Sequence, residues 1–162
     1  MLPVFFPYAY SDAVESLRLF KQLSGNIVVK EAVIRQVKSM SMSCDRVGNS
    51  LLAKFSTEGA SDVCLHIPAT IVFWLLKHMP VNQDPNLQPP AAPAPQISQQ
   101  DWDNPNNPRA LTLNCRELPG KLRMQFNLER GPNLVVVLDR SNVELMRQIM
   151  VHYSRDLIDL DA

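Results

Sequence analysis

The 162-residue chain is 46% hydrophobic and 20% charged, enough for one ordinary domain or two small ones with a buried core. Sixteen basic and sixteen acidic residues cancel, so no strong net field draws it to nucleic acid, anionic lipid or acidic substrates. Any such activity must come from a local patch.

The amino terminus, MLPVFFPYAY, lacks a basic n-region and carries prolines in its apolar run, unlike a signal peptide, and no apolar stretch reaches membrane-span length. Cys44, Cys64 and Cys115 are odd in number and widely spaced, which fits a reducing, cytoplasmic setting; a single bridge with one free thiol stays open. Residues 1–38 read as a helix and a strand that pack on residues 39–79. Ser11 caps a helix with Ala13, Val14, Leu17 and Phe20 on one stripe, ending at Ser24-Gly25-Asn26. Residues 27–38 are rich in β-branched side chains and read as strand rather than helix.

In residues 39–79, Met40, Met42 and Cys44 alternate with Ser39, Ser41 and Ser43, the period of a strand with one buried face. After a turn at Gly48-Asn49, a second strand turns Leu51, Ala53 and Phe55 inward. A third spans 63–67, and a helix begins at Pro68. Residues 79–109 then hold eight of the thirteen prolines. Such a stretch supports neither regular helix nor central strand, so 80–108 reads as a Pro-rich flexible linker. Its Trp102, between two aspartates, serves either as a clasp onto the domain or as a short docking motif.

Residues 109–155 repeat the first unit. At a shift of 71, segment 40–79 matches 111–150 without a gap. Cys44 meets Cys115, Leu51 meets Leu122, Phe55 meets Phe126, Glu58 meets Glu129, Val72 meets Val143 and Met79 meets Met150. Leu111, Leu113 and Cys115 are expected to point inward, a turn falls at Pro119-Gly120, and Asp139 suits an N-cap. The expected fold is α+β: two βββα units paired about a pseudo-twofold axis, with an amino-terminal helix and a mobile acidic tail at 156–162.

The two repeat helices agree at their core stripe and differ elsewhere. Ala69, Phe73 and Leu76 lie on a second stripe whose counterparts are Arg140, Glu144 and Arg147. An apolar stripe left in water is adhesive, so either the amino-terminal helix, through Val14, Leu17 and Phe20, or another protein chain covers it. The simplest chain is a second copy in a twofold dimer. The second unit has its own bias, with eight Lys and Arg against four acidic residues between 109 and 155. Arg123 should face outward, and a cluster with Arg116 and Arg130 would contact nucleic acid or another anion. Aromatic residues that would stack bases do not alternate with them.

Gly-rich phosphate loops, nucleophile elbows, H-E-x-x-H and Cys-x-x-Cys motifs are absent from the sequence. Cys44, Cys115 and His66 resemble three metal ligands but read better as small buried groups, and His78 and His152 as partners of helix carboxy ends. No catalytic residue, cofactor or metal is assigned. The expectation is a non-enzymatic interaction module, an adaptor, inhibitor or assembly factor, docking through Ala69, Phe73, Leu76 and Trp102. A nucleic-acid-binding accessory protein is the alternative.

Overall fold

The computed structural model describes residues 33–161. The amino-terminal helix expected at Ser11 and the first part of the 27–38 strand lie outside them. Period-two alternation builds six strands: β1 (Val33–Asp45), β2 (Ser50–Thr57), β3 (Val63–Pro68), β4 (Ala110–Leu118), β5 (Lys121–Leu128) and β6 (Leu134–Asp139). The helices are α1 (Ala69–His78), α2 (Gln99–Asp103) and α3 (Arg140–Ser154). The protein is therefore mixed α+β, with one sheet in the order β3-β2-β1-β6-β5-β4.

β1, β2 and β3 form one antiparallel meander, β4, β5 and β6 another, and a parallel β1–β6 pair joins them. The sheet's outer edges also meet. His66 and Arg109 form a parallel bridge, and the His66 amide donates to the Pro108 carbonyl at 2.9 Å. In a flat sheet β2 and β5 would stand three strand spacings, about 14 Å, apart. The ring centroids of Phe55 and Phe126 are 6.4 Å apart, so the sheet curls around a shared core.

That core gathers Met40, Met42, Leu51, Phe55, Leu65 and Ile67 from the first meander with Leu113, Leu122, Met124, Phe126, Val136 and Leu138 from the second. Two bulges modify the expected alternation. One, between Val37 and Ser39, turns both Val37 and Met40 inward. The other, between Ala110 and Thr112, gives the inner position to Ala110 and leaves Leu111 60% exposed, contrary to its expected inward role.

Strand direction places the helices. β1, β3, β4 and β6 run one way, so α1 and α3, which follow β3 and β6, both begin at the same end of the curled sheet. Pro68 precedes α1 in extended backbone, and Asp139 caps α3 by accepting from the Asn142 amide at 2.9 Å. The helices lie against each other. The chain leaving α1 passes the start of α3, where Val81 and Asn82 line one cleft with Arg140 and Val143 and Ser141 Oγ reaches Gln88 O. The chain leaving α3 returns to Asn49, whose carbonyl accepts from the Ala69 amide at the start of α1. The two helices are therefore antiparallel.

Residues 80–108 form a belt. The expectation of no helix there fails at α2, because Ser98 and Asp101 make a reciprocal capping box that satisfies the first amides of a five-residue helix. Ser141 Oγ donates to Gln88 O at 2.8 Å, Ser41 Oγ to Pro95 O, and Lys54 Nζ to Gln96 O at 3.0 Å. The tail is likewise held, since Leu157 is 7% exposed and belongs to the core.

Candidate protein-interaction site

Alpha-helical spacing gives α1 a buried stripe of Ile71, Val72 and Leu75 and leaves almost nothing polar to turn outward. Lys77 alone is exposed among its ten residues. Phe73, Trp74 and Leu76 are half-buried and pack at the margin of the core. Ala69 is 1% exposed and lies inside the core, so its side chain forms no part of an open surface. Trp74, which lies off that second stripe, meets the His78 ring at a tilt of 51° with centroids 4.9 Å apart. Its signal was present as a third large apolar residue adjoining Phe73. On α3 the positions 71 residues beyond Phe73 and Leu76 are ionic: Glu144 and Arg147 form a bidentate pair, and hydrogen bonding from Arg147 lowers the Glu144 pKa.

Trp102, on α2, is half-buried and borders a groove with Cys44, Asp45, Arg46, Val47, Gln99 and Asp103. Beside it, Lys54 Nζ meets Asp101 Oδ2 at 2.9 Å, and the Cys64 thiol lies 3.7 Å from Asp101 Oδ1. Hydrogen bonding from Ser98 and then from Lys54 lowers the Asp101 pKa to about 2, while the bond to Asp101 raises that of Lys54. Burial, with the carboxylate alongside, pushes the Cys64 thiol up to about 11. These shifts stabilise the resting charges and give a clamp for the belt, not an activated nucleophile.

The sign follows from linkage. Asp101 contributes stability that is whole above its ordinary value of 3.8 and is lost as pH falls toward about 2. Lys54 contributes below its ordinary 10.5 and loses that contribution as pH rises through its higher folded value. Thermal unfolding of the parent and an Asp101→Asn variant should therefore differ most between about pH 4 and 10, with the gap closing between pH 4 and 2. A gap independent of acid pH would mean that the carboxylate's charge is not what holds the belt.

The arginines separate. Arg116 stands directly opposite Arg123 across β4 and β5, whereas Arg130 lies in the bend beyond the end of β5. Arg130 donates to the carbonyls of Pro105 at 2.8 Å and Asn107 at 3.4 Å, anchoring the belt's end. Among the described residues, no group of three or more His, Cys, Asp and Glu side chains is placed to hold a metal ion, so Cys44, Cys115 and His66 do not converge. Burial raises the Cys115 thiol to about 12 and is the main cause lowering His66.

Two corners flank the helix pair. At one, the β1–β2 turn meets the chain after α3: Arg46 pairs with Asp156 at 2.9 Å, and the Asn49 amide group donates to Ile158 O at 2.9 Å and accepts from Ile158 N at 2.8 Å. At the other, the β4–β5 turn meets the chain after α1 and leaves a cleft of about 440 Å³. Val81, Leu118, Leu122, Val143, Lys121 and Arg140 are among its lining residues. Gly120 stands in the turn at φ 68°, and a Cβ added there would meet open space. No helix among the described residues is long and apolar enough to cross a membrane. Comparison with protein-family models, with curated proteins and with solved structures found no match to this chain.

Proposed function

We propose that this protein is a non-enzymatic interaction module that docks a protein partner, or a second copy of itself, on the outer side of α1. The observation that carries the reading is the contrast between the two helices: Phe73 and Leu76 stand half-buried where α3 carries the Glu144–Arg147 pair. Aromatic and aliphatic side chains at a margin provide the core of a docking surface, with Lys77 at its polar rim. Residues 1–32 remain the intramolecular alternative for covering it. The reading places the module in the cytoplasm, with its three cysteines free.

Two βββα units related by a pseudo-twofold underlie this comparison of helices. In support, β2 and β5, β3 and β6, and α1 and α3 begin at Ser50 and Lys121, Val63 and Leu134, and Ala69 and Arg140, each 71 positions apart. Asn49 and Gly120, which carry the left-handed turns, share that spacing.

A Phe73→Ser, Leu76→Ser variant tests the docking reading. It should keep its circular dichroism spectrum and lose self-association or partner capture, each buried side chain contributing about 1.5–3 kcal/mol. Unchanged association with an intact fold would refute it. The facing pair Arg116 and Arg123 supports the alternative of a nucleic-acid contact. Retention on a polyanion column with a steep salt dependence would favour that alternative.

A further inference from the structure

The two corners of the helix pair differ in a way that makes them complementary. Seven large apolar side chains are exposed among the described residues: Ile34, Val47, Val81, Leu111, Val151, Ile158 and Leu160. Three of these, Val47, Ile158 and Leu160, belong to the two segments that Asn49 and Arg46 tie together. Val47 is fully exposed, Ile158 65% and Leu160 72%. The Asn49 clamp fixes the Ile158 backbone by both its amide and its carbonyl, so an apolar knob is held out on an anchored chain. Such a cluster in water is a contact surface more often than an accident.

The opposite corner has the reverse form. Gly120 replaces the side chain that closes the first corner, and the resulting cleft has Leu118, Leu122 and Val143 on its walls. Its volume of about 440 Å³ falls within the range of about 300–1,000 Å³ typical of ligand clefts. Charge is complementary too. Segments 45–49 and 155–161 of the knob carry Asp45, Asp156, Asp159 and Asp161 against Arg46 and Arg155. The cleft carries Lys121 and Arg140 against Glu117.

We infer that the knob formed by Val47, Ile158 and Leu160 of one copy seats in the cleft beside Gly120 of a second copy, with Asp159 and Asp161 approaching Lys121 and Arg140. The contact is heterologous, because different surfaces meet, so it closes into a reciprocal dimer or a larger ring where the rotation between copies allows and otherwise extends as a chain. It uses none of the α1 docking residues and does not depend on that reading.

Sedimentation velocity over a concentration series tests it with three full-length proteins: the parent, an Ile158→Ser, Leu160→Ser variant and a Lys121→Glu, Arg140→Glu variant. All four positions are exposed, so the substitutions leave the core alone. The parent's mass should rise with concentration, less so at high salt. Each variant alone should lose that rise, and an equimolar mixture of the two should form a one-to-one pair and no larger species, since one supplies an intact cleft and the other an intact knob. A variant that failed to fold would not be rescued. A parent that stays monomeric throughout overturns the inference, as does a mass that neither pair of substitutions changes, the result expected if α1 alone makes the contact.

Discussion

Replacing Phe126 by alanine should lower the free energy of unfolding by about 3–5 kcal/mol, read as a lower urea midpoint at unchanged slope. The side chain is fully buried on β5 and meets Phe55 of β2 across the inside of the curled sheet. Its removal leaves a cavity between the two meanders, where neither strand can collapse inward without breaking its ladder to both neighbours. For a domain stable by about 5–15 kcal/mol, that is a large share of the total. Phe55→Ala should cost a similar amount. The double variant should cost less than the sum of the two, because each single substitution already removes the ring contact. Strict additivity would mean that the rings do not pack on each other.

Asn142→Ala should cost about 2–3 kcal/mol, well above the effect of an ordinary helix-surface substitution. The β1 bulge sets Lys38 outside the β1–β2 register, so local backbone groups need another partner. Asn142 Nδ2 donates to the Val37 carbonyl at 3.4 Å and the Lys38 carbonyl at 3.3 Å, and also to the Asp139 cap at 3.1 Å. Alanine leaves the buried Val37 carbonyl and the part-buried Lys38 carbonyl without this donor, and Asn142→Asp should be no better, since it offers oxygen to oxygen. Equilibrium unfolding measures the loss. Hydrogen exchange should show it at the β1 amides beside the bulge, and a cost near zero would mean that water replaces the amide.

Much of the strand plan was legible because one buried face imposes a period of two, as at Met40, Met42 and Cys44 or Leu122, Met124 and Phe126. Leu111 escaped because a bulge shifts the register by one residue without changing composition. Ala69 was misplaced from the surface because its position at the first turn of α1, against the Asn49 carbonyl, is set by tertiary packing and not by helical spacing. Proline content hid α2, whose capping box supplies local hydrogen bonds that composition does not reveal. The cleft beside Gly120 depends on segments far apart in the chain, 80–83, 117–122 and 140–143, and no local pattern announces it. Residues 71 apart did hold its trace: asparagine in one turn and glycine in the other.

The belt that joins the two meanders also acts as a tether. Both seams of the curled sheet, β1 with β6 and His66 with Arg109, join the first meander to the second half, and the β1–β6 seam pairs residues about a hundred positions apart, as Val33 with Leu134. Hairpins within each meander are local and form quickly, whereas seams so distant in sequence close late. Residues 80–108 keep one half within reach of the other while those seams close, which makes closure an intramolecular event. Cutting the belt would break few hydrogen bonds, yet it would turn an intramolecular closure into an encounter between two molecules.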